Sequence, residues 1–155
     1  MLYIQPTPDD IMRALDSWKW LPVESKQPIL VTAFGDIFFS ADDGIWFLDT
    51  LEGNLSRVCD TREELAAILQ TEDGEDHYLF AGFVERAQRE GLCLGDGECY
   101  DFKVNPMIGG KIEYENIESR NFVVAVSIAG QLHEQTRNMP DGTSITGFTI
   151  EGDEP

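Results

Sequence analysis

The stretch from Ile29 to Cys59 constrains the fold more than any other part of this chain. Residues 29–39 (ILVTAFGDIFF) are β-branched and aromatic, broken once at Phe34-Gly35-Asp36. Asp42-Asp43-Gly44 is a turn, Ile45-Trp46-Phe47-Leu48-Asp49 returns as a strand, and Glu52-Gly53-Asn54 turns the chain again into a short strand from Leu55 to Cys59. Connections this short cannot carry a crossover, so successive strands must run antiparallel. The first third is therefore expected to be an antiparallel meander.

The flanking segments carry helical signals. Thr7-Pro8-Asp9-Asp10 offers an N-cap, a proline at the first position and acids at the positive dipole end, and Ile11, Leu15 and Trp18 then form one stripe that stops before Pro22. Thr61-Arg62-Glu63-Glu64 is a capping box opening a helix with Leu65, Ile68 and Leu69 on one side. Glu72 to Asp76 (EDGED) reads as a solvated loop, followed by a helix from about Tyr78 to Glu90 that Gly91 ends. Gly95-Asp96-Gly97 turns the chain into the strand CYDFKV, and Met107-Ile108-Gly109-Gly110 is a tight, close-packed connection. Ser119 is the expected cap of a last helix bearing Phe122, Val123, Val126, Leu132 and Thr136, with Arg137 in its final turn and Pro140 beyond. Phe122 to Val126 alone fits a buried strand equally well, and helix is preferred. Pro140-Asp141-Gly142 is a turn, Thr143 to Ile150 a last strand, and EGDEP an acidic tail. Strands and helices mix without βαβ alternation. The expected class is α+β: an antiparallel or mixed sheet with three to four helices in one domain, divided as an N-terminal helix (1–20), the α+β body (21–150) and the tail (151–155).

Charge limits the partners. Against 29 Asp and Glu stand 11 Lys and Arg, a net charge of −18. Such a surface repels nucleic acid and anionic membrane and draws basic partners with fast, salt-sensitive association. Cys59, Cys93 and Cys99 are odd in number and match no CxxC pair, as idle thiols in a reducing compartment would. The N-terminus lacks a basic and apolar leader pattern, and no window has the apolar length of a membrane span, so a cytoplasmic protein is expected.

The pair His133-Glu134 raises the question of catalysis. A zincin needs His-Glu-x-x-His, because two histidines one helical turn apart converge on one metal. Here Arg137 stands at the fifth position, and the only other histidine is His77. Nucleophile-elbow, phosphate-loop and EF-hand spacings are absent. The chain is expected to be a non-enzyme with no catalytic residues, metal or cofactor; a hydrolase built on His133 and Glu134 is the weakest alternative.

Four stretches, in this order and spacing, resemble one family. They are Phe34-Gly35-Asp36-Ile37-Phe38; Trp46-Phe47-Leu48-Asp49-Thr50 with Glu52-Gly53; Gly95-x-Gly97-x-Cys99-Tyr100-x-Phe102-Lys103; and Gly109-Gly110 through Asn116-Ile117-Glu118 to Gly130-Gln131-Leu132-His133-x-Gln135. Together they resemble the C-terminal domain of type VI secretion immunity proteins of the Tdi kind, over roughly residues 15 to 147. The resemblance implies a cytoplasmic immunity protein that binds and neutralises a cognate toxin effector, a basic nuclease domain of the DNase type, by stoichiometric inhibition. Gly35, Asp36, Trp46, Asp49, Tyr100, Gly109, Gly110, Asn116, Gln131 and His133 are then expected to maintain the fold, with Trp46, Tyr100 and Phe102 in the core. Charge clustering points to Asp42, Asp43, Glu72, Asp73, Glu75, Asp76, Asp96 and Glu98 as the partner contacts. A small-ligand-binding or regulatory domain without a toxin partner is the alternative.

Overall fold

The structure, a computed structural model, describes residues 1–139. The expected turn at Pro140-Asp141-Gly142, the strand from Thr143 to Ile150 and the tail at 151–155 lie outside the described residues. The elements in order are β1 (Tyr3–Ile4), α1 (Pro8–Leu15) with a 3-10 extension at Asp16–Trp18, β2 (Gln27–Thr32), β3 (Ile37–Ala41), β4 (Gly44–Asp49), β5 (Asn54–Cys59), α2 (Arg62–Leu69), α3 (Glu72–Leu79), α4 (Ala81–Arg89), β6 (Glu98–Phe102), β7 (Ile117–Asn121) and α5 (Phe122–Thr136). Strands β1 to β5 form an antiparallel sheet in sequence order, and β6 pairs with β7 in a second, two-stranded antiparallel sheet. The fold is α+β, as expected.

The central strands explain their own composition. In β3 and β4, Ile37, Phe39 and Leu48 pack with Trp18, Val123 and Val126 beneath α1 and α5. Phe38, Ile45 and Phe47 face the other way, against Leu65, Leu69 and Leu79 of α2 and α3. Side chains alternate across a sheet, so a strand covered on both faces reads as one apolar run. A further cluster places α4 on the small sheet, through Val84, Ala87, Phe34, Tyr100 and Phe102. The Tyr100 amide donates to the Ala33 carbonyl at 2.7 Å, which ties the two sheets together. On the α5 side, the Trp18 indole N–H donates to the Val126 carbonyl at 2.9 Å. Gly130 permits that close approach, because a Cβ there would stand 2.6 Å from the Ser17 carbonyl oxygen.

Several expectations need correction. Glu72 to Asp76 is not a loop but the first turns of α3, capped by Thr71, whose hydroxyl accepts from the Gly74 amide at 3.0 Å. Glu72, Asp73 and Glu75 there face the positive end of the helix dipole. The single helix expected from Tyr78 to Glu90 is two, broken at Phe80, whose φ of 49° is left-handed. The break aims α3 at the large sheet and α4 at the small one, giving five helices among the described residues rather than three to four. Asn121, not Ser119, caps α5, its side chain accepting from the Val124 amide at 3.0 Å. Ser119 instead lies opposite Tyr100 in β7, the strand paired with β6 among the described residues. Trp46 is half-buried at the core rim rather than inside it, its indole N–H donating to Asp43 at 2.8 Å. The short β1 had no sequence signal strong enough to assign.

Other expectations hold. Residues 122–126 are helical, and Thr7 and Thr61 cap α1 and α2. Gly91, with φ of 82°, closes α4 in a Schellman arrangement: the Leu92 amide reaches the Ala87 carbonyl at 2.8 Å and the Gly91 amide the Gln88 carbonyl at 3.3 Å.

Candidate functional site

Three of the family-pattern side chains meet at one turn. The Asp36 carboxylate, buried just before β3, accepts from the Thr50 amide at 2.8 Å and the Thr50 hydroxyl at 2.6 Å. Asp49 accepts from the amides of Leu51 at 3.0 Å and Glu52 at 2.9 Å. From α5, buried His133 places Nε2 at 2.9 Å from the Thr50 carbonyl, an acceptor, so Nε2 carries the proton and donates. The fit is close: Gly53 has φ of 73°, and a Cβ on it would fall 2.3 Å from His133 Nδ1. The turn from Asp49 to Gly53 is thus held from the sheet and from the last helix at once.

Burial sets the protonation of this cluster. Desolvation, with the Asp49 carboxylate second, pushes the Asp36 carboxyl up to about 7 despite the two bonds from Thr50. Desolvation holds the His133 ring below its ordinary value, against the pull of the Thr50 and Leu51 backbone. Asp101 is also raised, chiefly by burial, although Arg120 stands 3.1 Å away. A neutral His133 donating to a carbonyl is a structural hydrogen bond. Glu134 is exposed beside it, and His77 sits apart, exposed on α3 against Tyr78. Among the described residues no group of three or more His, Cys, Asp or Glu is placed to hold a metal ion.

Asn116, Gly109 and Gly110 organise the loop between β6 and β7. The Asn116 side chain accepts from the Val104 amide at 3.0 Å and donates to the carbonyls of Val104 at 2.9 Å and Lys111 at 2.8 Å. Gly109 has φ of 100°, and a Cβ on Gly110 would lie 1.7 Å from the Val104 carbonyl oxygen. Tyr100, buried, donates its hydroxyl to the Leu92 carbonyl at 2.7 Å. Gly35, with φ of 84°, lies where a Cβ would touch Val126 at 3.0 Å. Gln131 is half-buried on α5.

Beside this loop runs an open groove of about 500 Å³. His133, Gly53, Met107, Ile112, Trp20 and Arg137 are among the residues that line it. The Arg137 guanidinium lies 5.3 Å from the Trp20 ring, which stacks on Trp18 at 5.6 Å. Sequence reasoning missed this groove. Its available signal was the density of large aliphatic residues, Val104, Met107, Ile108 and Ile112, in a connection also rich in glycine and polar residues.

The acids proposed as partner contacts occupy separate elements. Asp42 and Asp43 form the tip of the β3–β4 hairpin, where the Asp43 carbonyl accepts from Arg57 at 2.7 Å. Glu72, Asp73, Glu75 and Asp76 lie on α3. Asp96 is exposed before β6, and half-buried Glu98 accepts from the Gly95 amide at 2.7 Å. Cys59 and Cys99 are buried thiols, and Cys93 is exposed. No helix among the described residues is long and apolar enough to cross a membrane.

Comparison with known proteins bears on the last two of the four motif stretches. No curated protein sequence matches the chain. Among solved structures it is similar to Atu4351 from Agrobacterium tumefaciens, with a TM-score of 0.55 and 20% identity over 83% of this chain and 65% of that one. At that identity the likeness is one of fold, and the chain spans less than two thirds of its neighbour's length. The family model described as T6SS immunity protein Tdi1, C-terminal, matches residues 60–133, from the residue before the α2 cap to His133. Over those residues, just under half of its length, the chain is similar to that family.

Proposed function

We propose that this chain is a type VI secretion immunity protein that acts in the cytoplasm of the producing cell, binding a cognate toxin and blocking it stoichiometrically. The family match over residues 60–133 carries this reading. The charge of −18 supports a particular kind of toxin, a basic nuclease that acts on DNA. A nuclease presents lysine and arginine to phosphates, and an acidic protein can occupy the same surface as a decoy. On this reading Asp42, Asp43, Asp96 and the acids of α3 draw the toxin in, because complementary charge raises association rates. Asp36, Asp49 and His133 shape the surface and do no chemistry.

Co-purification with the product of the adjacent gene tests the proposal. It expects a stable complex; no complex, together with undiminished killing by that product in cells expressing this chain, contradicts it. Charge reversal at Glu72, Asp73, Glu75 and Asp76 tests the α3 contribution separately, and unchanged affinity would remove that helix from the contact.

A further inference from the structure

We infer that the small cavity bordered by the residue before β3, the Thr50–Leu51 turn and the β6–β7 connection is a binding site for one ammonium-type cation, held by the Asp36 carboxylate. The site uses none of the acids assigned to the toxin contact, and it does not depend on the immunity reading.

The space is small. It amounts to about 30 Å³, and its lining includes Asp36, Asp101 and Asn105 together with Phe34, Phe80 and Phe102. A group the size of water needs on the order of 10–15 Å³, so the cavity admits roughly two at most and excludes a large ligand.

One buried oxygen faces this space without a donor. Asp36 is 3% exposed, and its Oδ1 takes both donors of Thr50. No described residue donates to Oδ2. Among the described residues, every wholly buried side-chain nitrogen or oxygen has a hydrogen-bond partner. Oδ2 therefore keeps a sliver of open surface, and the space that Asp36 borders is this cavity. An acceptor left bare in an interior carries its full desolvation cost, so an occupant that donates to it is stabilised.

Charge selects that occupant. Burial first, then the Asp49 carboxylate and, more weakly, Asp101 push the Asp36 carboxyl up to about 7, and no cationic side chain is among the groups acting on it. Asp101 is already engaged by the Phe102 amide at 2.8 Å and by Arg120 at 3.1 Å, and Arg120 also meets Glu118. From α5 the cavity receives Ala125, Val126 and Ala129, none of them charged, while His133 is turned to the Thr50 carbonyl. A water molecule would satisfy Oδ2 and leave its charge uncompensated; an ammonium group satisfies the oxygen and cancels the charge. A divalent metal fits less well. It asks for more oxygen ligands, and no group of three or more His, Cys, Asp or Glu among the described residues is placed to hold one. The phenylalanines of the lining also favour a weakly hydrated cation.

Thermal unfolding of the full chain at about pH 8 tests the site. Choline chloride, whose cation is too large for the cavity, is replaced stepwise by methylammonium chloride up to about 0.2 M at constant ionic strength. The expected result is a melting temperature raised by about 2 °C or more in the parent and unmoved in Asp36→Asn. No rise in the parent, or an equal rise in Asp36→Asn, overturns the inference. Crystals grown in rubidium chloride, an ion close to ammonium in size, give a reading that needs no variant. Anomalous density beside Asp36 Oδ2 supports the site, and water alone there overturns it. On the immunity reading, the toxin of the adjacent gene then separates the two sources of such a cation. Toxin affinity lowered about tenfold by methylammonium relative to choline assigns the site to a lysine of the toxin, and unchanged affinity assigns it to a free ion.

Discussion

Gly53 and His133 lie 80 residues apart in the sequence, yet a side chain added at Gly53 would collide with the His133 ring. Gly53→Ala would add a Cβ 2.3 Å from the imidazole and place a non-glycine residue at φ of 73°. Overpacking and left-handed strain together give an expected loss of about 2–4 kcal/mol in urea denaturation. In a double-mutant cycle with His133→Ala, the second substitution removes the clash, so the losses should fall short of their sum. Strict additivity would contradict the contact. Asp36 makes a pH-dependent prediction of the opposite kind. Its carboxyl titrates near 7 when folded and near the ordinary carboxylate value, about 4, when unfolded. Between those values the folded chain holds the extra proton, so this group makes stability fall as pH rises from about 4 to 7. His133, lowered by burial, acts in the other sense, its contribution being present above about 6.5 and lost on acidification. Asn at 36 keeps an acceptor for both Thr50 donors and cannot ionise. Asp36→Asn should therefore gain on the parent at pH 8 relative to pH 4, with a ceiling of about 4 kcal/mol. An identical difference at both pH values would exclude a titrating Asp36.

At the scale of elements, α3 shows why local signals mislead. Glycine inside a helix costs about 1 kcal/mol relative to alanine, and EDGED therefore resembles a loop. In the structure Gly74 is the helix position nearest the end of α2, where a Cβ would stand 1.9 Å from the Ile68 carbonyl oxygen. A backbone oxygen cannot move aside as a side chain would. Gly74→Ala is thus expected to destabilise by more than the roughly 1 kcal/mol that helix propensity would add, reversing the usual sign. A higher melting temperature for this variant would show that the α2–α3 contact relaxes freely. The same competition decides what the sequence discloses elsewhere. The meander was legible because each apolar run is bounded by a turn with its own glycine or acid signal, and α1 and α2 because Thr7 and Thr61 begin them. The break at Phe80 was not, since nothing local marks an aromatic residue for a left-handed conformation; packing of α3 and α4 on different sheets imposes it. Ser119 and Asn121 are both good capping residues, and pairing of β7 with β6 leaves the cap to Asn121. Of the proposed contact surface, the acids could be named from the sequence, as could the loop clamp Asn116. The groove could not, because its walls come from four separate segments that only the fold assembles.

For the molecule as a whole, the account joins a long-range field to a short-range contact. A charge of −18 raises the rate of encounter with a basic toxin, and that part of the rate is screened by salt. Raising salt from about 0.05 to 0.5 M should slow association by about tenfold or more while changing dissociation less. A rate insensitive to salt would mean that the acidic surface does not face the toxin. The central claim is neutralisation by binding, and it is tested most directly by titrating this chain into the purified toxin of the adjacent gene while following DNA cleavage. The account predicts that cleavage falls in proportion to added protein and stops near one equivalent. Cleavage that persists at a large molar excess would contradict it.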